Sequence, residues 1–191
     1  MAASTKTDER RALIDAGLAV LRRRGSEGCT VADVLAEAGL STRAFYRHFA
    51  SKDELVLAIY ERDARPTHAR LRERLDAVAS PRAALEVWID ETLALGFDTR
   101  RARRTQPLAR EGLRLQAEFP REFAAMEAGV IDPLVAVLRA FPAADPERDA
   151  RSIHAVAWAL VEERFAGGTL TFDQAKAHVL RFCLPAIGEQ P

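Results

Sequence analysis

Gly28-Cys-Thr-Val-Ala-Asp-Val-Leu-Ala-Glu-Ala-Gly-Leu-Ser-Thr-Arg-Ala-Phe-Tyr-Arg-His-Phe-Ala-Ser-Lys-Asp-Glu-Leu55 is the stretch whose reading decides the fold. Thr30 is placed to cap a helix over Val31 to Ala38, Gly39 to take the left-handed position after it, and Ser41 to cap a second helix running through Phe49. Ser51-Lys52-Asp53-Glu54 has the Ser-x-x-Glu form of a capping box ahead of Leu55, Val56, Ile59 and Tyr60. Helices this short do not hold alone, so Val31, Val34, Leu35, Leu40, Phe45 and Phe49 must pack on a preceding helix. That helix is expected over Asp8 to Arg24, with Asp8 and Glu9 in its first turn, Arg22, Arg23 and Arg24 in its last, and Gly25 ending it. Gly17 lies on its apolar stripe and costs about 1 kcal/mol against Ala unless close packing requires it.

Working outward, strand signals are almost absent, and Ala, Leu, Arg and Glu recur with helical spacing; the fold class is all-α. A long connecting helix includes Leu71 and Leu75, and Ser80-Pro81 opens a helix to about Phe97 that carries Leu85, Trp88, Ile89, Thr92 and Leu93 on one side. The run Arg100, Arg101, Arg103 and Arg104 reads as a solvated loop or helix start. Further helices are expected over Arg104 to Phe119, onward from Pro120 to Ala140 with a kink at Pro133, from Pro146 to Phe165, and from Thr171 to Ile187 after the Gly167-Gly168 break. The total is about nine.

The 191 residues can hold a small module and a larger one, taken here as 1–54 and 55–191. Lys plus Arg and Asp plus Glu are both 28, so any nucleic-acid partner must be argued from where charges sit. No apolar run spans a bilayer and the start carries no secretory signal, which gives a cytoplasmic expectation with no membrane partner. Cys29 and Cys183 read as small buried hydrophobes, and His48, His68, His154 and His178 are scattered, so no metal or cofactor is expected. No nucleophile elbow, phosphate loop or HExxH is present; the chain is read as a non-enzyme with no catalytic residues.

Two short helices joined by a Gly-containing turn form the helix-turn-helix pattern, whose second helix enters the major groove of DNA. Phe45 and Phe49 mark its buried side, which leaves Thr42, Arg43, Tyr46 and Arg47 pointing outward with no acid among them. Arg can bond guanine, Thr a base edge or a thymine methyl, and Tyr a phosphate; the helix starts at Thr30, Ser41 and Ser51 offer N–H groups to phosphate, and Lys52 adds a charge. The same pattern alone also suits a helical hairpin inside a larger bundle.

The quoted stretch, above all Phe45-Tyr46-Arg47-His48-Phe49 followed by Ser51-Lys52-Asp53-Glu54-Leu55, closely resembles the DNA-binding domain of the tetracycline-repressor family. The resemblance implies that Thr30, Tyr46 and Lys52 touch phosphate, and that Thr42, Arg43, Ala44 and His48 face bases or nearby backbone. Ala44 departs from the polar residue frequent there, and His48 has a second reading as a ring packed beside Phe49. With Ser41 and Arg47 these complete the candidate DNA-binding set.

The family also implies a homodimer on double-stranded operator DNA, a four-helix dimer contact from the last two helices of each subunit, and a small-molecule effector in a cavity among the middle helices. Ala155, Ala157 and Ala159 suit that contact or an internal packing site equally. Trp88, Thr92, Arg110, Met126 and Trp158 are the candidate effector residues, with Arg110 or Arg114 available to an acidic group; aromatic and Met residues at helical spacing also serve simply as core. The function so implied is a sequence-specific transcriptional regulator, by family habit a repressor released by the effector. The alternatives are an activator with the same reader, and a metabolite-binding helical scaffold without DNA.

Overall fold

A computed structural model describes residues 2–25 and 28–188, and among these every regular element is a helix. The helices are α1 (Ala2–Arg24), α2 (Val31–Ala38), α3 (Thr42–His48), α4 (Lys52–Asp76), α5 (Pro81–Phe97), α6 (Thr99–Ala109), α7 (Gly112–Glu118), α8 (Pro120–Leu138), α9 (Pro146–Phe165) and α10 (Phe172–Ala186). Ten replace the expected nine because the basic run is helical, as α6, and the segment expected as one helix breaks at Arg110-Glu111 into α6 and α7. None is long and apolar enough to cross a membrane. Caps fall where local chemistry puts them: the side chains of Ser80 and Thr171 accept from Ala83 and Gln174 N–H, and Gly167 takes a φ of 97° after α9.

The chain forms two compact units, 1–65 with 107–120, and 66–106 with 121–191. Each passage between them falls at a proline: Pro66 inside α4, Pro107 inside α6, and Pro120 at the start of α8. At Pro66 and Pro107 the fourth-previous carbonyl loses its N–H donor, which weakens the helix locally, whereas Pro120 stands at a helix start, where proline is tolerated.

In the first unit α1 packs on α2 and α3, with Leu13, Val20, Leu21, Val34, Phe45, Leu55 and Ile59 fully or almost fully buried. Gly17 is required by close approach, since a Cβ there would stand 2.9 Å from Ile59 Cδ1 and 3.1 Å from Leu55 Cδ2. At the far end of α1, Arg23 and Arg24 do more than complement the helix dipole: they pair with Glu37 at 2.8 Å and Asp33 at 2.5 Å on α2.

In the second unit α5 lies against α9 and α10, around a core that includes Leu85, Trp88, Ile89, Leu93, Leu134, Leu138, Ala157 and Val179. The α5–α9 crossing is tight at Gly96, where a Cβ would sit 3.0 Å from Val161 Cγ1. Cys183 belongs to this core, and burial pushes its thiol up to about 11, so it serves as a packing residue. Trp88 is fully buried and its Nε1–H donates to the Val130 carbonyl at 2.9 Å. Trp88→Phe removes that bond and leaves space beside a fully buried side chain, so it is expected to cost about 1–3 kcal/mol. Urea denaturation followed by circular dichroism checks this.

Candidate nucleic-acid interface

The turn between α2 and α3 is built from three local devices. Thr30 Oγ1 accepts from the Asp33 N–H at 3.1 Å, while the Asp33 carboxylate receives the Thr30 N–H at 3.3 Å and its hydroxyl at 2.6 Å. The hydroxyl bond to Thr30, seconded by its backbone N–H and by Arg24, holds the Asp33 carboxyl below its ordinary value. Gly39 takes a φ of 64°, the left-handed conformation that frees the chain to turn, and Leu40 N–H closes onto the Leu35 carbonyl at 3.2 Å. Ser41 Oγ then accepts from Ala44 N–H at 3.2 Å and starts α3.

Phe45 is 0% exposed and Phe49 is buried beside it, their ring centroids 5.8 Å apart. This anchors α3 and turns Thr42, Arg43, Tyr46 and Arg47 outward. Tyr46 is 59% exposed, its ring set edge-on against Phe45 at 5.3 Å. Arg43 makes no ion pair or hydrogen bond within the described residues, so its guanidinium is available to a partner.

Two expectations need correction. Ala44 is 4% exposed and its methyl belongs to the core, because Ala44 and His48, four apart, share the inward side with Phe45 and Phe49. The His48 side chain is 3% exposed; its ring lies 6.5 Å from Phe49 and its Nε2 is 3.0 Å from Glu9 Oε2, which favours the packed-ring reading. The outward residues of α3 hold no acid, but Glu9 of α1 also takes Arg47 at 2.7 Å. The His48 bond first, then Arg47, holds the Glu9 carboxyl below its ordinary value against a smaller effect of burial. Helix α1 begins at Ala2, so Glu9 lies beyond its first turn and supports α3 instead of the α1 dipole. Arg10 reinforces the contact from above the Phe49 ring, at 5.2 Å.

Glu9 is a carboxylate held against the outward-facing Arg47 of α3. Glu9→Gln is therefore expected to strengthen binding to DNA of any sequence and to steepen its salt dependence by about one phosphate per subunit, as Arg47 is released. Fluorescence anisotropy across a salt series checks this. Weaker binding would instead mean that Glu9 presents Arg47 to the DNA.

After α3, Ser51 Oγ accepts from Glu54 N–H at 3.1 Å, but the Glu54 carboxylate takes the Ala50 N–H at 2.5 Å, one residue before the reciprocal bond of a capping box. Lys52 is partly buried at the first position of α4. Beside it, Asp53 pairs at 2.6 Å with Arg114 of α7, which also holds Glu111 at 2.8 Å. Burial lowers the Arg114 pKa, yet Asp53 and Glu111 together raise it above the usual value. Arg114 thus braces α4 within the first unit, a role that the chain's order gave no local signal for.

The candidate effector residues are spread differently. Arg110 is exposed and belongs to the first unit, whereas Trp88, Thr92, Met126 and Trp158 belong to the second. Thr92 is buried with Trp88 in the core; Met126 and Trp158 are half-buried. His154 stands between the two tryptophans, 6.0 Å from Trp88 and 6.3 Å from Trp158, and burial lowers its pKa. Trp158 Nε1–H donates to Glu162 at 2.9 Å. Sequence reasoning missed Glu91, the neighbour of Thr92. This buried carboxylate receives Arg70 at 3.1 Å, Arg74 at 2.5 Å and Arg101 at 2.8 Å. Burial pushes its pKa up, and the guanidiniums of Arg74 and Arg101 outweigh that and leave it below the ordinary value.

The family described as bacterial regulatory proteins, tetR family, matches residues 13–59, which covers most of α1, all of α2 and α3, and the start of α4. The HTH-type transcriptional regulator CymR of Pseudomonas putida is 33% identical over 114 residues, 56% of this chain and 56% of that protein. The chain thus spans about half the length of the curated relatives it matches. In fold it is similar to a transcriptional regulator from Rhodococcus sp. Rha1, with a TM-score of 0.70 at 22% identity over 95% of this chain and 99% of that one. It is similar also to NalD of Pseudomonas aeruginosa, described as the secondary repressor of the MexAB-OprM multidrug efflux pump, with a TM-score of 0.68 at 21% identity over 96% and 97% of the two chains. At those identities the structural likeness concerns the fold alone, whereas the matched N-terminal segment carries kinship. By that segment, and by the capped helices it contains, residues 13–59 are similar to the N-terminal part of the tetR family of bacterial regulatory proteins.

Proposed function

We propose that this chain is a sequence-specific DNA-binding transcriptional regulator that acts as a homodimer, represses by occupying a near-palindromic operator, and is released by a small-molecule effector. The observation that carries the reading is α3: a capped helix anchored by Phe45 and Phe49 that turns Thr42, unpartnered Arg43 and exposed Tyr46 outward together. Such a helix fits the major groove, with Thr42 and Arg43 toward bases and Tyr46, Lys52 and the N-terminus of α2 at Thr30 toward phosphates. Residues 1–54 act as reader and 55–191 as effector and dimerisation domain.

The second unit supports dimer formation. Phe182 on α10 is 58% exposed, Ala155 and Ala159 on α9 are exposed, and Val156 and Leu160 are half-buried. That apolar surface suits a second copy of the same helices under two-fold symmetry. The effector must bind the DNA-competent and released forms with different affinity, because equal affinity moves no population. Half-buried Met126 and Trp158 are the accessible members of the proposed effector set in the second unit.

A gel shift on the DNA upstream of the chain's own gene, with compounds screened for release, tests this. The expected result is a discrete complex of two subunits per site that an active compound dissolves over the same concentrations at which it changes tryptophan fluorescence. Both tryptophans lie in the second unit, so their fluorescence reports on that unit. A folded protein that binds the compound but no DNA would turn the reading to a metabolite-binding scaffold.

A further inference from the structure

The second unit carries a charge imbalance that its packing does not explain. Glu91 on α5 is shared by Arg70 and Arg74 of α4 and Arg101 of α6. Among the described residues no other acid is shared by three cations. Nearby the charges balance: Lys176 is met by Glu86 at 3.4 Å and Asp90 at 2.9 Å, and Glu86 also receives Arg82 at 3.1 Å, two acids to two bases. One guanidinium suffices to neutralise a buried carboxylate, so the other two leave a surplus of two positive charges at Glu91.

The geometry of the three heads makes that surplus usable. Arg70 reaches Glu91 through Nε, Arg74 and Arg101 through one terminal nitrogen each, so most of the guanidinium donors remain unspent. Groups that touch one carboxylate stand within a few ångströms of one another. The side chains are 56%, 41% and 24% exposed for Arg70, Arg74 and Arg101, which places the unspent donors at an opening to solvent. Asp98 receives the Arg101 backbone N–H at 2.9 Å and caps α6. Exposed Arg100, Arg103 and Arg104 on α6 add to the positive field.

We infer that Arg70, Arg74 and Arg101, preorganised by Glu91, form an oxyanion site that takes a small molecule bearing two negative charges, a dicarboxylate or a phosphate. A planar guanidinium presents paired N–H groups to either anion, and a dianion cancels the local surplus. Glu91 is the positioning residue: it fixes three flexible side chains before the ligand arrives. The site lies wholly within the second unit and does not depend on DNA binding.

Isothermal titration of the full chain with inorganic phosphate and with succinate, in sodium chloride of matched ionic strength, tests this. Saturable binding at one site per subunit is expected for at least one probe, and which of the two binds tells a phosphate site from a dicarboxylate site. Arg70→Gln, the most exposed of the three, is expected to weaken that binding about tenfold while the circular-dichroism melt of the apoprotein stays unchanged. Glu91→Gln, if it remains folded, is expected to weaken anion binding, because the three arginines are then no longer held together, and unchanged binding would refute Glu91 as the positioning residue; if it unfolds, Arg70→Gln decides alone. No saturable heat with either probe, or binding that Arg70→Gln leaves untouched, overturns the site. A regulator that binds operator yet gives no heat refutes this site alone, and a chain that binds the anion yet no operator refutes the regulator reading alone.

Discussion

Phe45→Ala is expected to abolish operator binding and to cost about 3–5 kcal/mol of stability in the first unit. Phe45 is fully buried and touches both Tyr46 and Phe49, so it is the contact through which α3 is held. A helix of seven residues has no independent stability, and its position depends on that contact. A loss of this size is a large share of a small unit's total stability. The experiment has a built-in control, because both tyrosines, Tyr46 and Tyr60, belong to the first unit and both tryptophans to the second. Urea unfolding followed by tyrosine absorbance should shift to lower midpoint, while the tryptophan transition stays in place. Operator binding that survives the substitution would mean that α3 is not the reader.

Arg43→Ala is expected to act on specificity and Lys52→Ala on affinity. Arg43 is exposed and unpartnered on the outward side of α3, the placement from which a guanidinium reaches guanine O6 and N7. Its loss should relax preference at one symmetric operator position by about 1–3 kcal/mol per contact. Lys52, at the start of α4, and Tyr46 should contact phosphate, so Lys52→Ala and Tyr46→Phe weaken binding to all sequences alike. Lys52→Ala should also reduce the salt slope by about one phosphate per subunit. Binding measured on an operator series with single base-pair changes separates the cases. A uniform loss across that series for Arg43→Ala would move Arg43 to the backbone.

What the sequence made legible is what local chemistry controls. Thr30 and Ser41 were readable as caps because a side-chain oxygen reaches an N–H three residues on, and Gly39 as a left-handed stop because few other residues accept that φ. The Phe45 and Phe49 pair fixed which side of α3 turns inward. The same spacing held a signal that went unread, since Ala44 and His48 are also four apart and lie beside that pair.

What escaped reading depends on residues remote in the chain. Glu9 meets Arg47 across 38 positions, and Arg70 meets Glu91 across 21, distances at which periodicity carries no information. The break between α6 and α7 was hidden because Arg110-Glu111 are good helix formers, and only Gly112 hinted at it. For the effector, composition pointed to tryptophan, yet Trp88 is filled core and the charged cluster one turn along α5 is the more open feature.

The most direct test is selection of the folded, purified chain against a pool of random double-stranded DNA. The expected result is enrichment of a near-palindrome whose half-sites lie one helical turn, about 10 base pairs, or a multiple of it apart, bound by two subunits and lost in Phe45→Ala. Enrichment of no sequence by a protein whose tyrosine and tryptophan transitions show both units folded would contradict the reading of α3 as a DNA reader.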